Sequence, residues 1–466
     1  MVIQKLLVGL FALFCLCQAK YQPTAKYQPT WESIDSRPLP SWYDEDKIGI
    51  FLHWGVFSVP SVKSEWFWAD WKAGDSEVVN YLKNYYSPNW KYQNFAKDFT
   101  AEFYDPNEWA EIFANSGAKY IVLTSKHHEG YCLWPSKYSY SWNAQDVGPG
   151  RDILGELATA VRAKNLKFGL YHSYYEWFNQ LYLADKANGY KTQDFVDRKT
   201  DPELRELVNT YKPSVIWADG DWDAPDTYWK SKEFLAWLYN ESPVKDEVVV
   251  NDRWGSGIPC THGGFFSCQD RYNPGTLQQH KWENAMTIDH KSWGFRRNAK
   301  LSDYMTIEEL LYQLVSTVSC GGNLLMNVGP TKDGIIAPIF QQRLKDLGTW
   351  LSINGDSIYS TRPWTSQNDS LTNGVWYTSK GSDVYAISLQ WPKDSILDLG
   401  SAIDLFKNTN TSVHLLGHES GEALKWTLGA SSVTINFPDK AQVSSEWAYV
   451  LKIVPGASVV YGQNKI

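Results

Sequence analysis

Lys119-Tyr-Ile-Val-Leu-Thr124 and Lys167-Phe-Gly-Leu-Tyr171 are apolar runs of strand length, and Asp152 to Asn165 between them carries a helical period. Near-continuous apolar strands, rather than strict alternations, suit a sheet covered by helices on both faces. The same unit recurs outward from this stretch. Upstream lie the strand Ile48-Gly-Ile-Phe-Leu-His53 and the helical period Asp105 to Ala118. Downstream lie Ser214-Val-Ile-Trp-Ala218, Glu247-Val-Val-Val250 and Asn323-Leu-Leu-Met-Asn327, with helical periods at Asp201 to Tyr211 and Thr306 to Ser319. Several helices open with an Asp or Thr placed to cap the free amides of a first turn. The repetition predicts an α/β fold, a (β/α)8-type barrel over residues 31–357. A doubly wound sheet is the alternative, and the lack of a Gly-rich phosphate turn after the first strand speaks against it.

After Gly355 the texture changes. Val375-Trp-Tyr-Thr, Asp383-Val-Tyr-Ala-Ile-Ser-Leu, Ser412-Val-His-Leu-Leu, Ser432-Val-Thr-Ile-Asn-Phe and Trp447-Ala-Tyr-Val-Leu-Lys-Ile are short β-rich runs between Gly, Asn, Asp and Lys. They predict an antiparallel β-sandwich over residues 358–466. Few polar residues cluster there, so the chemistry is sought in the barrel.

The chain start reads as a secretory signal peptide over residues 1–19: Lys5, an apolar run from Leu6 to Cys17, and a small-residue cleavage site ending at Ala19. The run is shorter than the roughly 20 residues that span a bilayer, and no later stretch qualifies, so no membrane anchor is expected. Residues 20–30 hold most of a tandem Ala-Lys-Tyr-Gln-Pro-Thr hexamer and read as a disordered leader. In an oxidising compartment Cys260 and Cys268 are spaced to close a short loop, whereas Cys132 and Cys320 read as free and buried. Asn240, Asn368 and Asn410 head Asn-x-Ser/Thr triplets, in keeping with a secretory route. A net charge of -8 and a pI near 5.7 argue against nucleic-acid binding. The 24 Trp, 28 Tyr and 19 Phe either fill a core or build a pocket that stacks on rings and donates hydrogen bonds.

Barrel active sites lie at the C-terminal ends of the strands. Polar residues collect there five times: His53-Trp54-Gly55, Lys126-His127-His128-Glu129-Gly130, Tyr171-His172-Ser173, Trp217-Ala218-Asp219-Gly220-Asp221-Trp222 and Asn251-Asp252-Arg253-Trp254. Quieter readings stand beside each. His53 could be a satisfied core histidine. Asp219 and Asp221 could cap the following turn, although a carboxylate beside Trp217 and Trp222 is costly unless used. Lys126 and Arg253 could pair structurally with Asp252 or Glu129. A metal role for His127 and His128 is disfavoured, because neighbours on an extended strand point to opposite faces and no His-Glu-x-x-His helix accompanies them. No metal or other cofactor is called for. With no Gly-x-Ser-x-Gly turn, P-loop or dinucleotide fingerprint, a secreted barrel rimmed by carboxylates, imidazoles and indoles most resembles a glycoside hydrolase, which needs two carboxyl groups flanking the scissile bond.

The resemblance then becomes specific. Gly49-Ile-Phe-Leu-His-Trp-Gly55, Lys126-His-His-Glu-Gly130, Val215-Ile-Trp-Ala-Asp-Gly220, Leu277 through Lys281-Trp-Glu283, Ser292-Trp-Gly-Phe-Arg-Arg297 and Gly322-Asn-Leu-Leu-Met-Asn-Val-Gly-Pro330 resemble the α-L-fucosidases of glycoside hydrolase family 29, animal tissue type, from about Trp31 to the C-terminus. The resemblance implies a retaining exo-glycosidase acting on terminal α-L-fucose of glycoproteins, glycolipids or oligosaccharides. It implies a lysosomal or extracellular destination and a homo-oligomer, a tetramer. Its Trp-x-Asp-Gly pattern marks Asp219 as nucleophile, and it implies a sugar pocket of His53, Glu65, Trp66, His127, His128, Tyr171, Trp217 and Arg253. Tyr171 competes with His172 for its place. The acid/base is Asp270 or Glu283. Asp270 is preferred because it follows the strand-like Gly263-Gly-Phe-Phe-Ser-Cys268, and because Lys281 beside Glu283 would hold that carboxylate ionised in a structural pair. One departure stands out: where the family has Lys-Trp-Glu-x-Cys, this chain ends in Ala285. A retaining glycosidase needs no thiol. The alternative is a secreted fucose-binding lectin without turnover, against which every candidate carboxylate survives.

Overall fold

The computed structural model describes residues 26–407 and 410–456. The expected signal peptide lies outside them. Seven parallel strands form one sheet: β1 (Ile48–Leu52), β2 (Tyr120–Lys126), β3 (Lys167–Ser173), β4 (Val215–Asp219), β5 (Val249–Val250), β6 (Trp282–Thr287) and β7 (Gly322–Val328). Their spatial order is β5-β4-β3-β2-β1-β7-β6. The two edges are joined by the run that the sequence marks at Gly263 to Cys268. The Phe265 amide donates to the Val250 carbonyl at 3.0 Å, the Phe266 amide donates to that of Lys281 at 2.8 Å, and the Glu283 amide returns to Phe266 at 2.9 Å. This irregular eighth position completes the (β/α)8-type barrel.

Alternation along each strand separates two cores. Phe51, Tyr120, Val122, Tyr171, Val215, Trp217, Phe265, Ala285 and Leu325 fill the barrel interior. Ile121, Leu123, Ile216 and Ala218 face outward into a cluster shared with the helices. Both faces are dry, which is why these strands read as unbroken apolar runs. The helix Ile307–Ser319 begins with a Thr cap, as the sequence suggests, here within a capping box: Thr306 Oγ1 accepts from the Glu309 amide, and the Glu309 carboxylate accepts from that of Thr306.

Past the helix Pro338–Asn354 the chain turns antiparallel. β8 (Arg362–Asn368), β9 (Val375–Lys380), β10 (Asp383–Ser388), β12 (Ser412–Leu415) and β15 (Tyr449–Val454) make one sheet; β11 (Ile396–Leu399), β13 (Trp426–Leu428) and β14 (Val433–Asn436) make a second. Val375, Tyr377, Val384, Leu397, Leu399 and Ile435 share an apolar core of their own. The sandwich docks on the barrel through Trp350, whose indole donates to the Ala448 carbonyl at 2.9 Å.

Two expectations are corrected here, and one strand was missed. Residues 26–30 of the expected disordered leader are ordered: Tyr27 is buried, and its backbone makes a pair of hydrogen bonds with the Asn240 carboxamide at 3.0 and 2.7 Å. The apolar Tyr27 side chain in an otherwise polar repeat is what allows this docking. Secondly, β6 was not anticipated, because Trp282 to Thr287 mixes polar residues into a buried strand. Lastly, Lys281 does not pair with Glu283: its ammonium lies 2.5 Å from Asp44.

Candidate active site

An open cavity sits at the C-terminal ends of the barrel strands. From β1, β2 and the segments after them come Phe51, His53, Glu65, Trp66, His127 and His128; from β3, β4 and the later segments come Tyr171, Trp217, Asp219, Trp222, Arg253, Asp270 and Trp293. Thus all eight expected sugar-pocket residues, with Asp219 and Asp270, meet in one place. Glu283 does not line it.

Each strand end delivers its residue for a local reason. At β4, Asp219 is followed by Gly220 with φ +70°, a left-handed turn where an added Cβ would lie 2.4 Å from the Tyr175 ring. The Asn251 carboxamide clips β5 to β4 by bonds to the Ala218 amide and carbonyl at 3.0 and 2.8 Å. Asp252 gathers the next loop, accepting from the amides of Cys260, Ser267 and Cys268 at 2.8–3.0 Å and from the Ser267 hydroxyl at 2.6 Å. The Cys260–Cys268 disulfide closes that loop. Asp252 therefore has no need of Arg253, which turns instead into the cavity.

There Arg253 bridges two carboxylates. Its Nη1 donates to Asp219 Oδ1 at 2.9 Å and its Nη2 to Asp270 Oδ1 at 2.7 Å. The guanidinium lies over the Trp217 ring, 4.6 Å from its centroid. Burial opposes its charge, but the two carboxylates outweigh burial and raise its pKa. The Tyr171 hydroxyl donates to Asp219 Oδ2 at 2.7 Å, which decides between the neighbours on β3. His172 points the other way, toward Thr200. Asp221 is buried beside them and accepts from the Gly255 amide at 3.0 Å; burial, then the charge of Asp219, raises its carboxyl to about 6.

His127 and His128 both enter the cavity, with ring centroids 4.0 Å apart. The opposite-face rule fails because β2 ends at Lys126 and the chain turns, the Gly130 amide donating to the His127 carbonyl. Nor does Lys126 pair with Glu129 or Asp252. Its ammonium is buried between Glu176 at 2.8 Å and Glu203 at 3.0 Å, and Lys199 shares both carboxylates. Burial raises the pKa of Glu203, but the two lysines overcome it and hold Glu203 at about 2. This ionic cluster anchors the end of β2 beneath the histidine pair.

Glu65 spends one oxygen on structure. Its Oε2 accepts from the Ser292 hydroxyl and the amides of Trp293 and Gly294 at 2.9–3.1 Å, which swings Trp293 against the His53 ring. Trp293 and Phe51 were not expected in the cavity. Trp293 stands inside the Ser292 to Arg297 motif, so a signal existed. Trp222 rises at the mouth, 43% exposed and stacked on Trp66 at 6.2 Å.

Glu283 lies fully buried inside the barrel behind Trp217. Its Oε2 accepts from the hydroxyls of Tyr43 at 2.6 Å and Tyr120 at 2.7 Å, and Oε1 accepts from the Trp217 indole at 2.9 Å. Burial raises its pKa. Ala285, where the family has Cys, points into the same interior at 1% exposure.

Two family models match the chain. The alpha-L-fucosidase model covers residues 14–356, and the alpha-L-fucosidase C-terminal domain covers residues 367–454. An alpha-L-fucosidase of Branchiostoma floridae is 56% identical, covering 96% of this chain and 99% of its own length. The tissue alpha-L-fucosidase of Homo sapiens is 52% identical over 93% of this chain and 92% of its own, and the plasma alpha-L-fucosidase of Rattus norvegicus 55% identical over 92% and 94%. Among solved structures, the Thermotoga maritima alpha-fucosidase in complex with fucose superposes with a TM-score of 0.80 at 34% identity, covering 92% of this chain and all of that one. By sequence along nearly its whole length and by fold, the chain belongs to the α-L-fucosidases of glycoside hydrolase family 29.

Proposed function

We propose that this α-L-fucosidase is a retaining exo-glycosidase with Asp219 as nucleophile and Asp270 as acid/base. The observation that carries the reading is the Arg253 bridge, which sets two carboxylates in one cavity while Glu283 stays sealed beneath Trp217. One guanidinium with a hydrogen bond at each end spans a distance of the order that retaining pairs need, roughly 5–5.5 Å. Asp219 is nearly buried, whereas the Asp270 side chain is 54% exposed, so a leaving group and then water can reach it.

In the first step a terminal α-L-fucose enters the closed end of the cavity. Asp219 attacks the anomeric carbon from the face opposite the leaving group, and a β-fucosyl ester forms as the glycosidic bond breaks. Asp270 gives its proton to the departing oxygen. In the second step the Asp270 carboxylate takes a proton from water, whose oxygen displaces Asp219. Two inversions give net retention. Arg253 and Tyr171 hold the Asp219 carboxylate in place, and an acid of this kind contributes roughly 10²–10⁴ in rate.

The substrates on this reading are fucosylated glycoproteins, glycolipids or oligosaccharides, met in the lysosome or extracellular fluid, by a chain assembled as a tetramer. No helix of the described residues is long and apolar enough to cross a membrane. The test is the configuration of the first product: NMR of a turnover mixture before mutarotation should show α-L-fucose, and β-L-fucose would refute the mechanism.

A further inference from the structure

Two of the three cavity histidines have their inner nitrogens held by a hydrogen bond. His128 Nδ1 lies 2.7 Å from Ser173 Oγ, and the one hydroxyl proton of Ser173 goes to the Tyr175 carbonyl at 2.8 Å. Ser173 must therefore accept, and His128 carries its proton on Nδ1. His53 Nδ1 lies 2.8 Å from Asn327 Oδ1. The Asn327 amide nitrogen donates to the Trp293 carbonyl at 2.8 Å and to Thr287 Oγ1 at 2.9 Å, which fixes the orientation of that carboxamide. Its oxygen faces His53, so His53 also carries Nδ1–H.

His127 has a different partner. Its Nδ1 points to Glu129 Oε2 at 3.5 Å, and both side chains are buried. Neither oxygen of Glu129 has a hydrogen-bond donor among the described residues, and His127 Nδ1 is likewise without a closer acceptor. A buried carboxylate lacking any donor is costly, so a proton on the nitrogen facing it is strongly favoured.

We propose that Glu129 is a positioning residue that completes a set of three Nδ1–H histidines, so that His53, His127 and His128 offer Nε2 lone pairs and the cavity reads its sugar as a donor of hydroxyl protons. The inference deepens the reading of this cavity as the fucose pocket and rests on it. Burial lowers the pKa of His53 and of His128, which keeps both rings neutral and their lone pairs available. His128 Nε2 lies 3.6 Å from Asp219 Oδ2, two acceptors facing each other with no proton between them. A ligand hydroxyl is the group that resolves that contact. Arg253, a donor in the same cavity, supplies the opposite polarity.

The tautomers are read directly by 15N NMR of the full chain labelled at histidine, with the three rings assigned by single His→Asn variants. The expected result is a protonated Nδ1 and a bare Nε2 on all three. Glu129→Gln keeps an acceptor and should preserve the His127 pattern, whereas Glu129→Met should scramble or reverse it at His127 alone. A protonated Nε2 on His127 in the wild type overturns the role of Glu129, as does an unchanged His127 in the folded Met variant. Recognition is tested by competition with L-fucose and its singly deoxygenated and singly fluorinated analogues. A fluorine accepts but does not donate, so at the hydroxyls held by imidazoles both replacements should weaken binding alike, by about tenfold or more. Fluorine recovering most of the loss at every position overturns the proposal while leaving the fucose pocket intact. If L-fucose itself fails to compete, the pocket reading falls, and the recognition half of the inference falls with it.

Discussion

Removing Glu283 separates a buried structural group from a proton donor. In Glu283→Ala the hydroxyls of Tyr43 and Tyr120 and the Trp217 indole lose their common acceptor inside a dry barrel. The two tyrosines can turn toward each other, which leaves at least two donors unsatisfied at about 1–3 kcal/mol each. Relief from burying a carboxyl whose pKa is already raised by burial offsets part of this. The net loss is of order 3 kcal/mol, which for a domain of this size lowers Tm by roughly 3–5 °C. Glu283→Gln keeps the volume, an oxygen for Trp217 and an amide that donates to a phenol oxygen, and with the tyrosines turned toward each other it leaves one phenol proton unpaired, so it should cost about 1–2 kcal/mol. Thermal melts of the three proteins give the stabilities, and kcat/KM on an activated aryl fucoside and on a fucosyl disaccharide gives the chemistry of the first step. Glu283→Gln should stay within about tenfold of wild type on both substrates. A Gln variant with wild-type Tm that loses roughly 10²–10⁴ on the disaccharide, but little on the aryl fucoside, would make Glu283 the acid and refute this reasoning.

Asp270→Ala should show that second pattern in kcat/KM, while its kcat on the aryl fucoside falls because the second step lacks its base, and azide should restore that turnover as an α-fucosyl azide; equal losses of kcat/KM on both substrates would remove Asp270 from the acid role. Asp221 gives a pH signature. Its folded pKa of about 6 lies above the unfolded value near 4, so its contribution to stability is full below about pH 4 and is lost as pH rises through about 6. Asp221→Asn lacks that loss, and the difference in stability from wild type should move in its favour by about 2–3 kcal/mol between pH 4 and pH 8. Denaturant midpoints across that range are the measurement, and a difference that does not vary with pH contradicts the assignment.

The barrel was legible because both faces of its strands are dry, so Tyr120 to Leu123 and Val215 to Ala218 carry no polar interruption. The strand ends were legible because polar residues there have nowhere to go except the cavity. What escaped is set by chain direction and by long-range partners. His127 and His128 share a side because the strand stops one residue before them. Arg253 reaches Asp219 and Asp270 because backbone amides have already satisfied its neighbour Asp252. β6 looked polar because the acceptor for Tyr43, Tyr120 and Trp217 is carried on it. The closing run at Phe265 and Phe266 was recognised as strand-like, yet its place between β5 and β6 follows from hydrogen bonds that no local pattern encodes.

The central claim is that Asp219 becomes covalently bound to the sugar. Incubation with 2-deoxy-2-fluoro-L-fucosyl fluoride should slow the second step, because the fluorine destabilises the positive charge that develops on the ring, while its good leaving group sustains the first. Proteolysis and mass spectrometry of the trapped protein should then find one fluorofucosyl group, on the peptide containing Val215 to Gly220, with the ester at Asp219. A label on Asp221, Asp270 or Glu283, or complete turnover of the reagent to the inverted sugar with no adduct, would contradict the account.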